Sequence, residues 1–158
     1  MKEKKQKNET DPVLKEYETR YISTIKNPLV NKRPNTEISI KCIEIEEDYT
    51  KIDFKHSAGF EYIDGGWVRI HPQTYIRICS TGQKLQMFQA VNIPIKPLYH
   101  HYKHKLDTLE YSLYFPPIPK HIETIDIIEV LPDDGSSFNF FGVRIKESIS
   151  SFLNVSYN

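Results

Sequence analysis

The chain has little glycine, almost no cysteine and no long hydrophobic run. Two cysteines in 158 residues, Cys42 and Cys79, cannot supply a disulfide framework, and neither stands in a Cys-x-x-Cys or Cys-His spacing. Both are expected as buried free thiols, with a single bridge between neighbouring strands as the other reading. No stretch approaches the ~20 apolar residues of a membrane span, and the N-terminal region lacks the apolar run of a secretory signal. The expectation is a cytoplasmic chain, or a periplasmic or secreted one whose precursor segment has been removed. Lysine plus arginine equals aspartate plus glutamate, 21 against 21, so no global field draws nucleic acid or an anionic membrane, and neither is expected as a partner. With only 6 glycines there is no Gly-rich phosphate loop, and Gly-x-Ser-x-Gly and His-Glu-x-x-His are missing as well.

What is present has an uneven layout. Residues 1–34 hold nine Lys/Arg against five acids, +4 there and −4 elsewhere. MKEKKQKNETD, residues 1–11, has nothing to bury and reads as disordered. After it, Asp11 suits a helix N-cap with Pro12 at the first helical position. Leu14, Tyr17, Tyr21 and Ile25 then recur at helical spacing, which predicts a short helix ended by Asn27-Pro28. NPLVNKRPN reads as a linker, because the residue before each proline is pushed out of the helical region. The expected layout is a basic leader over 1–35, a β domain over 36–147 and a tail over 148–158.

Beyond Asn35 the period becomes two. In TEISIKCIEIEE the apolar face runs through Ile38 and Ile40, then through Ile43 and Ile45. Such a switch near Cys42 predicts a β-bulge. Short alternating runs follow at TKIDFKH, WVRI, TYIRICS, KLQMFQAV, YSLYF, IETIDIIEV and FNFFGVRI, with Thr81-Gly82-Gln83 a tight turn between two of them. That pattern predicts an all-β protein, an antiparallel sandwich of seven to nine strands. Its core candidates are Ile38, Ile40, Ile43, Ile45, Ile52, Phe54, Trp67, Ile76, Ile78, Leu85, Phe88, Leu113, Phe115, Ile125, Ile127, Phe140 and Val143. Phe115-Pro116-Pro117-Ile118-Pro119 interrupts the most regular stretch. Proline cannot donate to a ladder, so this run must end one strand, and a stiff extended crossing from one sheet to the other fits it.

The succession GWVRIHPQTYIRI, TGQKLQMFQAVNIPI, LEYSLYFPPIPKHIETIDIIE and SSFNFFGVRI, covering about residues 66–145, resembles a poorly characterised bacterial family of immunoglobulin-like β-domains. The shared features are a turn glycine, a Gly/Asn-Ile-Pro step, a Phe-Pro-Pro-x-Pro corner, an Ile-Glu end and a Phe-Asn-x-x-Gly-Ile close. Where the family has glycine before Ile93, this chain has Asn92. The resemblance implies an immunoglobulin-like fold and an accessory role, and offers no catalytic residue to carry over.

Three of the six histidines lie in LYHHYKHKLD. On a helix His100 and His104 would be i, i+4 neighbours able to share a metal, with Asp107, His121 or His71 as a third ligand. On a strand they would stand ~13 Å apart, too far for bonds of about 2 Å. Tyr99, His100, His101, Tyr102 and His104 together form a candidate surface for a protein or glycan partner, since loops on rigid scaffolds commonly carry recognition. A Ser-His-Asp site could be assembled in space from Ser57, His56 and Asp53, although nothing in the sequence singles that set out. LPDDGSS lacks the calcium-loop pattern and reads as a turn. The expected function is therefore a non-catalytic module that binds another protein or a neighbouring domain, with no cofactor. The alternatives are a metal-dependent enzyme centred on His100 and His104, and a structural subunit assembling through its edge strands.

Overall fold

Residues that alternate in hydropathy bury one face, and two such faces laid together make a core. In the computed structural model, which describes residues 22–34, 37–59 and 66–146, the fold is all-β and no helix occurs among the described residues. Strands β3 (Ile38–Ile45) and β4 (Thr50–Ser57) form the longest hairpin. Beside them run β1 (Ser23–Lys26), β8 (Gln89–Val91) and β10 (Thr108–Phe115), giving a five-stranded sheet in the order β1-β3-β4-β10-β8. A second sheet holds β2 (Val30–Lys32), β6 (Tyr75–Ile78), β7 (Lys84–Gln86), β11 (Thr124–Ile128) and β12 (Phe140–Arg144), in the order β2-β12-β11-β6-β7. All pairings within both are antiparallel. Among the described residues, strands β5 (Trp67–Val68) and β9 (His100–His101) pair only with each other, as a separate two-stranded ribbon.

The two large sheets share one core. Phe54 of β4 meets Phe140 of β12 at 5.8 Å between ring centroids and stacks on Tyr111 of β10 at 5.1 Å. Fifteen of the seventeen core candidates are buried there, all but Trp67 and Phe88. Each fully buried Ile or Phe stabilises the fold by about 1.5–3 kcal/mol relative to exposure. The predicted bulge is present: the β3–β4 register shifts between Ile40 and Cys42, which keeps Ile38, Ile40, Ile43 and Ile45 all on the inner face.

The proline run is the expected corner. It carries the chain from β10 in one sheet to β11 in the other, with Phe115 and Ile118 buried at the turn. The Ile118 N–H, freed from any ladder, donates to the buried Thr50 Oγ1 at 3.0 Å, which fixes the corner to the start of β4. Thr81-Gly82-Gln83 closes the β6–β7 hairpin with Gly82 at a φ of 78°, a left-handed conformation that glycine adopts without cost. Asn92 also sits there, at a φ of 67°, and asparagine is one of the few side-chain-bearing residues that tolerates it.

Four expectations need correction. The predicted helix ends in strand, since Ser23–Lys26 pairs with β3; its earlier residues, from Asp11 to Tyr21, lie outside those described, as do the 1–11 leader and the 148–158 tail. The predicted linker contains β2, which pairs with Phe141 and Val143 of β12. Both segments precede residue 36, and backbone pairing recruits them despite their weak hydrophobic pattern. Trp67 and Phe88 are 51% and 59% exposed. In each run the neighbouring residue, Val68 or Met87, takes the inner face instead, a one-residue register difference. Lastly, both cysteines are free but not buried: Cys42 is half-buried and Cys79 exposed.

Candidate functional site

The ribbon outside the two sheets is where the chemistry collects. Its alternation is strict: Val68 and Ile70 point inward at 1% exposure each, so Trp67 and Arg69 must point out. Across the ladder Trp67 opposes His101, and Tyr99 continues β9 toward Arg69. The outer face thus carries Arg69, Trp67, Tyr99 and His101, each in contact with the next. The Arg69 guanidinium lies 4.9 Å from the Trp67 ring centroid. Trp67 and Tyr99 are 5.5 Å apart and tilted by 52°, and Tyr99 meets His101 edge-on at 4.7 Å. Leu98 and Leu106, which precede and follow β9 in sequence, are both exposed.

Beneath this face the ribbon is pinned to the sandwich through Tyr102. Its ring is buried at 3% exposure and its hydroxyl lies 2.7 Å from Nδ1 of the buried His56 and 3.3 Å from the His56 carbonyl. The rings stack at 13°. Burial pushes the His56 imidazole down to about 4, so it is neutral at physiological pH, and pushes the Tyr102 phenol up to about 12 with help from the charge of Asp107. Tyr111, also in this buried zone, is held well above the usual phenol range by desolvation and by the charges of Glu129 and Tyr102. Its hydroxyl finds no hydrogen-bond partner among the described residues. The half-buried Glu129 carboxylate accepts the N–H groups of His71 at 2.9 Å and Phe138 at 2.8 Å. Desolvation raises its pKa against the lowering effect of those two bonds.

The structure distributes the predicted site residues unevenly. Tyr99 and His101 lie on the outer face; His100, also exposed, turns its ring edge toward Tyr102 at 5.2 Å. Tyr102 itself is an anchor and is not available to a partner, which corrects its expected role. His104 is exposed beyond the ribbon, where its N–H and that of Lys103 donate to Asp107 Oδ2, both at 3.0 Å. That turn, neither helix nor strand, gives His100 and His104 no shared face. Among the described residues the one set of three metal-capable side chains with ligand atoms within 4.8 Å is Cys42, Glu44 and Asp53, and it includes no histidine. It lies on the outer side of β3 and β4, where Lys51 Nζ is already 3.6 Å from Asp53 and Ser112 donates to the same carboxylate at 2.6 Å.

The Ser57, His56 and Asp53 set does not assemble. His56 faces the core while Asp53 and Ser57 occupy the opposite face of β4, as the period of two requires. LPDDGSS is a turn held by its own side chains. Asp134 Oδ1 accepts from the N–H of Ser136 and from the hydroxyls of Ser136 and Ser137, and these bonds hold its carboxyl down to about 2.

Trp67 and Arg69 were missed as site residues because a tryptophan in an alternating run reads as core. A signal was nonetheless available: residues 65–106 contain no Asp or Glu at all, yet hold Arg69, Arg77, Lys84, Lys96, Lys103 and Lys105. In a chain with zero net charge, that stretch stands out. Arg77 pairs with Asp126 at 3.0 Å and Lys84 lies over Tyr75, both on the second sheet; Arg69, Lys96, Lys103 and Lys105 belong to the ribbon and its flanking loops.

No helix among the described residues is long and apolar enough to cross a membrane. A scan against protein-family models found no match, and searches of curated proteins and of solved structures found none.

Proposed function

We propose that this chain is a non-catalytic immunoglobulin-like accessory module that binds another protein or a neighbouring domain through the outer face of the β5–β9 ribbon. The observation that carries the reading is the contiguous, solvent-facing group of Trp67, Arg69, Tyr99 and His101. Tryptophan, tyrosine and arginine dominate the energetics of protein interfaces, and a folded chain that gains nothing internally from exposing them together is presenting a contact surface. Tyr102 and His56 hold that surface rigidly, which lowers the ordering cost of association.

The immunoglobulin-like assignment is supported by strand order. With β3, β4, β8 and β10 taken as A, B, D and E, the first sheet reads A-B-E-D; with β6, β7, β11 and β12 as C, C′, F and G, the second reads G-F-C-C′. Strands β1 and β2 are additions at the A and G edges. The resemblance of residues 66–145 to the bacterial family supports the same assignment.

The test is affinity capture from the source organism with the wild-type chain beside Trp67→Ala and Tyr99→Ala variants whose folding is checked by thermal melting. A partner retained by wild type and lost by both variants supports the reading. A partner retained equally by all three moves the interface elsewhere, and stoichiometric metal bound through His100 and His104 would reinstate the enzymatic alternative.

A further inference from the structure

We infer that the ribbon takes an acidic peptide segment in extended form, added as a third strand along the free edge of β9. This rests on the reading of the β5–β9 face as a partner-binding surface and specifies its ligand.

The first support is an unfilled ladder. Among the described residues β9 pairs with β5 alone, on one side. The Tyr102 N–H donates to the Gly66 carbonyl at 2.9 Å, so Tyr102 opposes Gly66 in a hydrogen-bonded pair. Antiparallel ladders alternate, so His100 opposite Val68 is the next such pair, and the backbone groups of Tyr99 and His101 point away from β5. No hydrogen bond among the described residues uses them, although Lys103, next in line, gives its N–H to Asp107. A strand laid beside β9 would find up to two N–H donors and two carbonyl acceptors, the means by which extended peptides join sheet edges.

The second support is charge. No Asp or Glu occurs between residues 65 and 106, while Lys96, Lys103 and Lys105 are exposed around the ribbon and Arg69 lies on its face. The acids that border this stretch in sequence are Asp64 and Asp107, and Asp107 is occupied in capping the turn at 103–104. An excess of exposed lysine around the face favours an anionic partner and steers its approach. The two observations together favour an acidic peptide over an anionic glycan, because a glycan has no use for two free N–H and two free C=O groups in strand register.

Trp67 is the chain's single tryptophan and lies on this face, so its fluorescence reports occupancy directly. The probe is a capped eight-residue peptide alternating Glu and Thr, titrated to millimolar concentration into the full chain. Three companions accompany it: the same peptide with Gln for Glu, and two versions N-methylated on odd or on even backbone amides. A soluble polyuronate serves as the glycan control.

The acidic peptide is expected to shift the Trp67 emission saturably. The shift should fade between low salt and 0.5 M salt as the Debye length contracts. The Gln peptide should bind at least tenfold more weakly. One N-methyl register should abolish binding and the other leave it intact. A Lys103→Gln, Lys105→Gln variant should bind about two- to fivefold more weakly per charge removed, the value of an exposed ion pair. Equal binding of the Glu and Gln peptides would overturn the charge assignment, and equal binding of both N-methylated peptides would overturn strand addition; either result leaves a protein-binding surface standing. Binding of the polyuronate with no response to any peptide would overturn both this inference and the reading it rests on. No change in Trp67 emission with any probe overturns the inference.

Discussion

Acid should loosen this protein through a single buried imidazole. His56 is 6% exposed, with its ring between Tyr102 and Phe138, and burial depresses its pKa from 6.5 to about 4. A group whose folded pKa lies below its unfolded value contributes stability that is present above pH 6.5 and is lost as pH falls through the folded value. Proton linkage between those two values removes about 2 kcal/mol by pH 5 and about 3 kcal/mol by pH 4, a large share of a typical domain's 5–15 kcal/mol. Glu129 acts in the opposite sense. Its raised pKa means that the folded state holds a proton more tightly than the unfolded chain, so its contribution is present at low pH and is lost as pH rises above 4.5. The net slope is therefore the His56 effect reduced by Glu129, and a variant is needed to isolate the imidazole. His56→Phe keeps an aromatic ring between Tyr102 and Phe138, and Tyr102 retains the residue-56 carbonyl as an acceptor. Urea unfolding at constant ionic strength, from pH 7.5 to 4, should show the wild type losing about 3 kcal/mol more than His56→Phe over that range. Parallel curves for the two proteins would refute the reasoning, as would an imidazole NMR titration placing His56 near 6.5.

Further predictions concern other parts of the fold. Gly142 has a φ of 67°, and a Cβ there would stand 2.6 Å from Asn31 Cβ on the neighbouring β2, so Gly142→Ala should cost about 2–4 kcal/mol in denaturant unfolding; a loss under 0.5 kcal/mol would contradict the packing of β2 on β12. Asp126 is 8% exposed and accepts from Arg77 Nε at 3.0 Å, Gly142 N–H at 2.9 Å and the Cys79 thiol at 3.4 Å, so Asp126→Asn should destabilise by about 2 kcal/mol. Desolvation and then Asp126 push that thiol up to about 11, so iodoacetamide should alkylate Cys79 slowly at pH 8 in the wild type and faster in Asp126→Asn; an unchanged rate would remove Asp126 as a cause. Trp67→Ala should leave the urea midpoint within about 0.5 kcal/mol of wild type, because an exposed face away from caps and buried networks contributes little to stability, and a larger loss would make the residue structural.

Much of the sandwich was legible because its signals are local. The switch of apolar face at Cys42, the proline corner and the turn at Gly82 each follow from a few neighbouring residues and one steric rule. Strands β1 and β2 were not legible, since Ser23–Lys26 and Val30–Lys32 carry little alternation of their own and owe their strand state to partners about 20 residues away in β3 and over 100 residues away in β12. Trp67 and Phe88 failed for a different reason. Periodicity fixes which residues share a face, while which face meets the core is decided by the whole sheet, and in both runs the large aromatic lost the inner position to a smaller neighbour, Val68 or Met87. The histidine cluster was visible as composition, but its geometry depends on a turn that Asp107 closes from beyond the cluster.

The same alternation that misplaced Trp67 explains how the ribbon can be both anchored and open. A strand too short to bury both faces must assign each side chain to one of two tasks, and here the assignment holds for all but His100, which stays exposed opposite Val68. Val68 and Tyr102 go inward, where Tyr102 reaches His56 in the core of the first sheet; Trp67, Arg69 and His101 go outward, where nothing covers them among the described residues. A partner contacting the outer face would therefore press on elements whose inner side ends at the buried His56–Tyr102 pair. Protonating His56 weakens that pair and thereby the support of the face, so below about pH 5 affinity at the ribbon should decline more steeply in the wild type than in His56→Phe, where only the peptide's own carboxylates lose charge. Equal acid sensitivity in both proteins would show that the face does not depend on its anchor, and that the ribbon is held by its edge pairing and by Val68 and Ile70 alone.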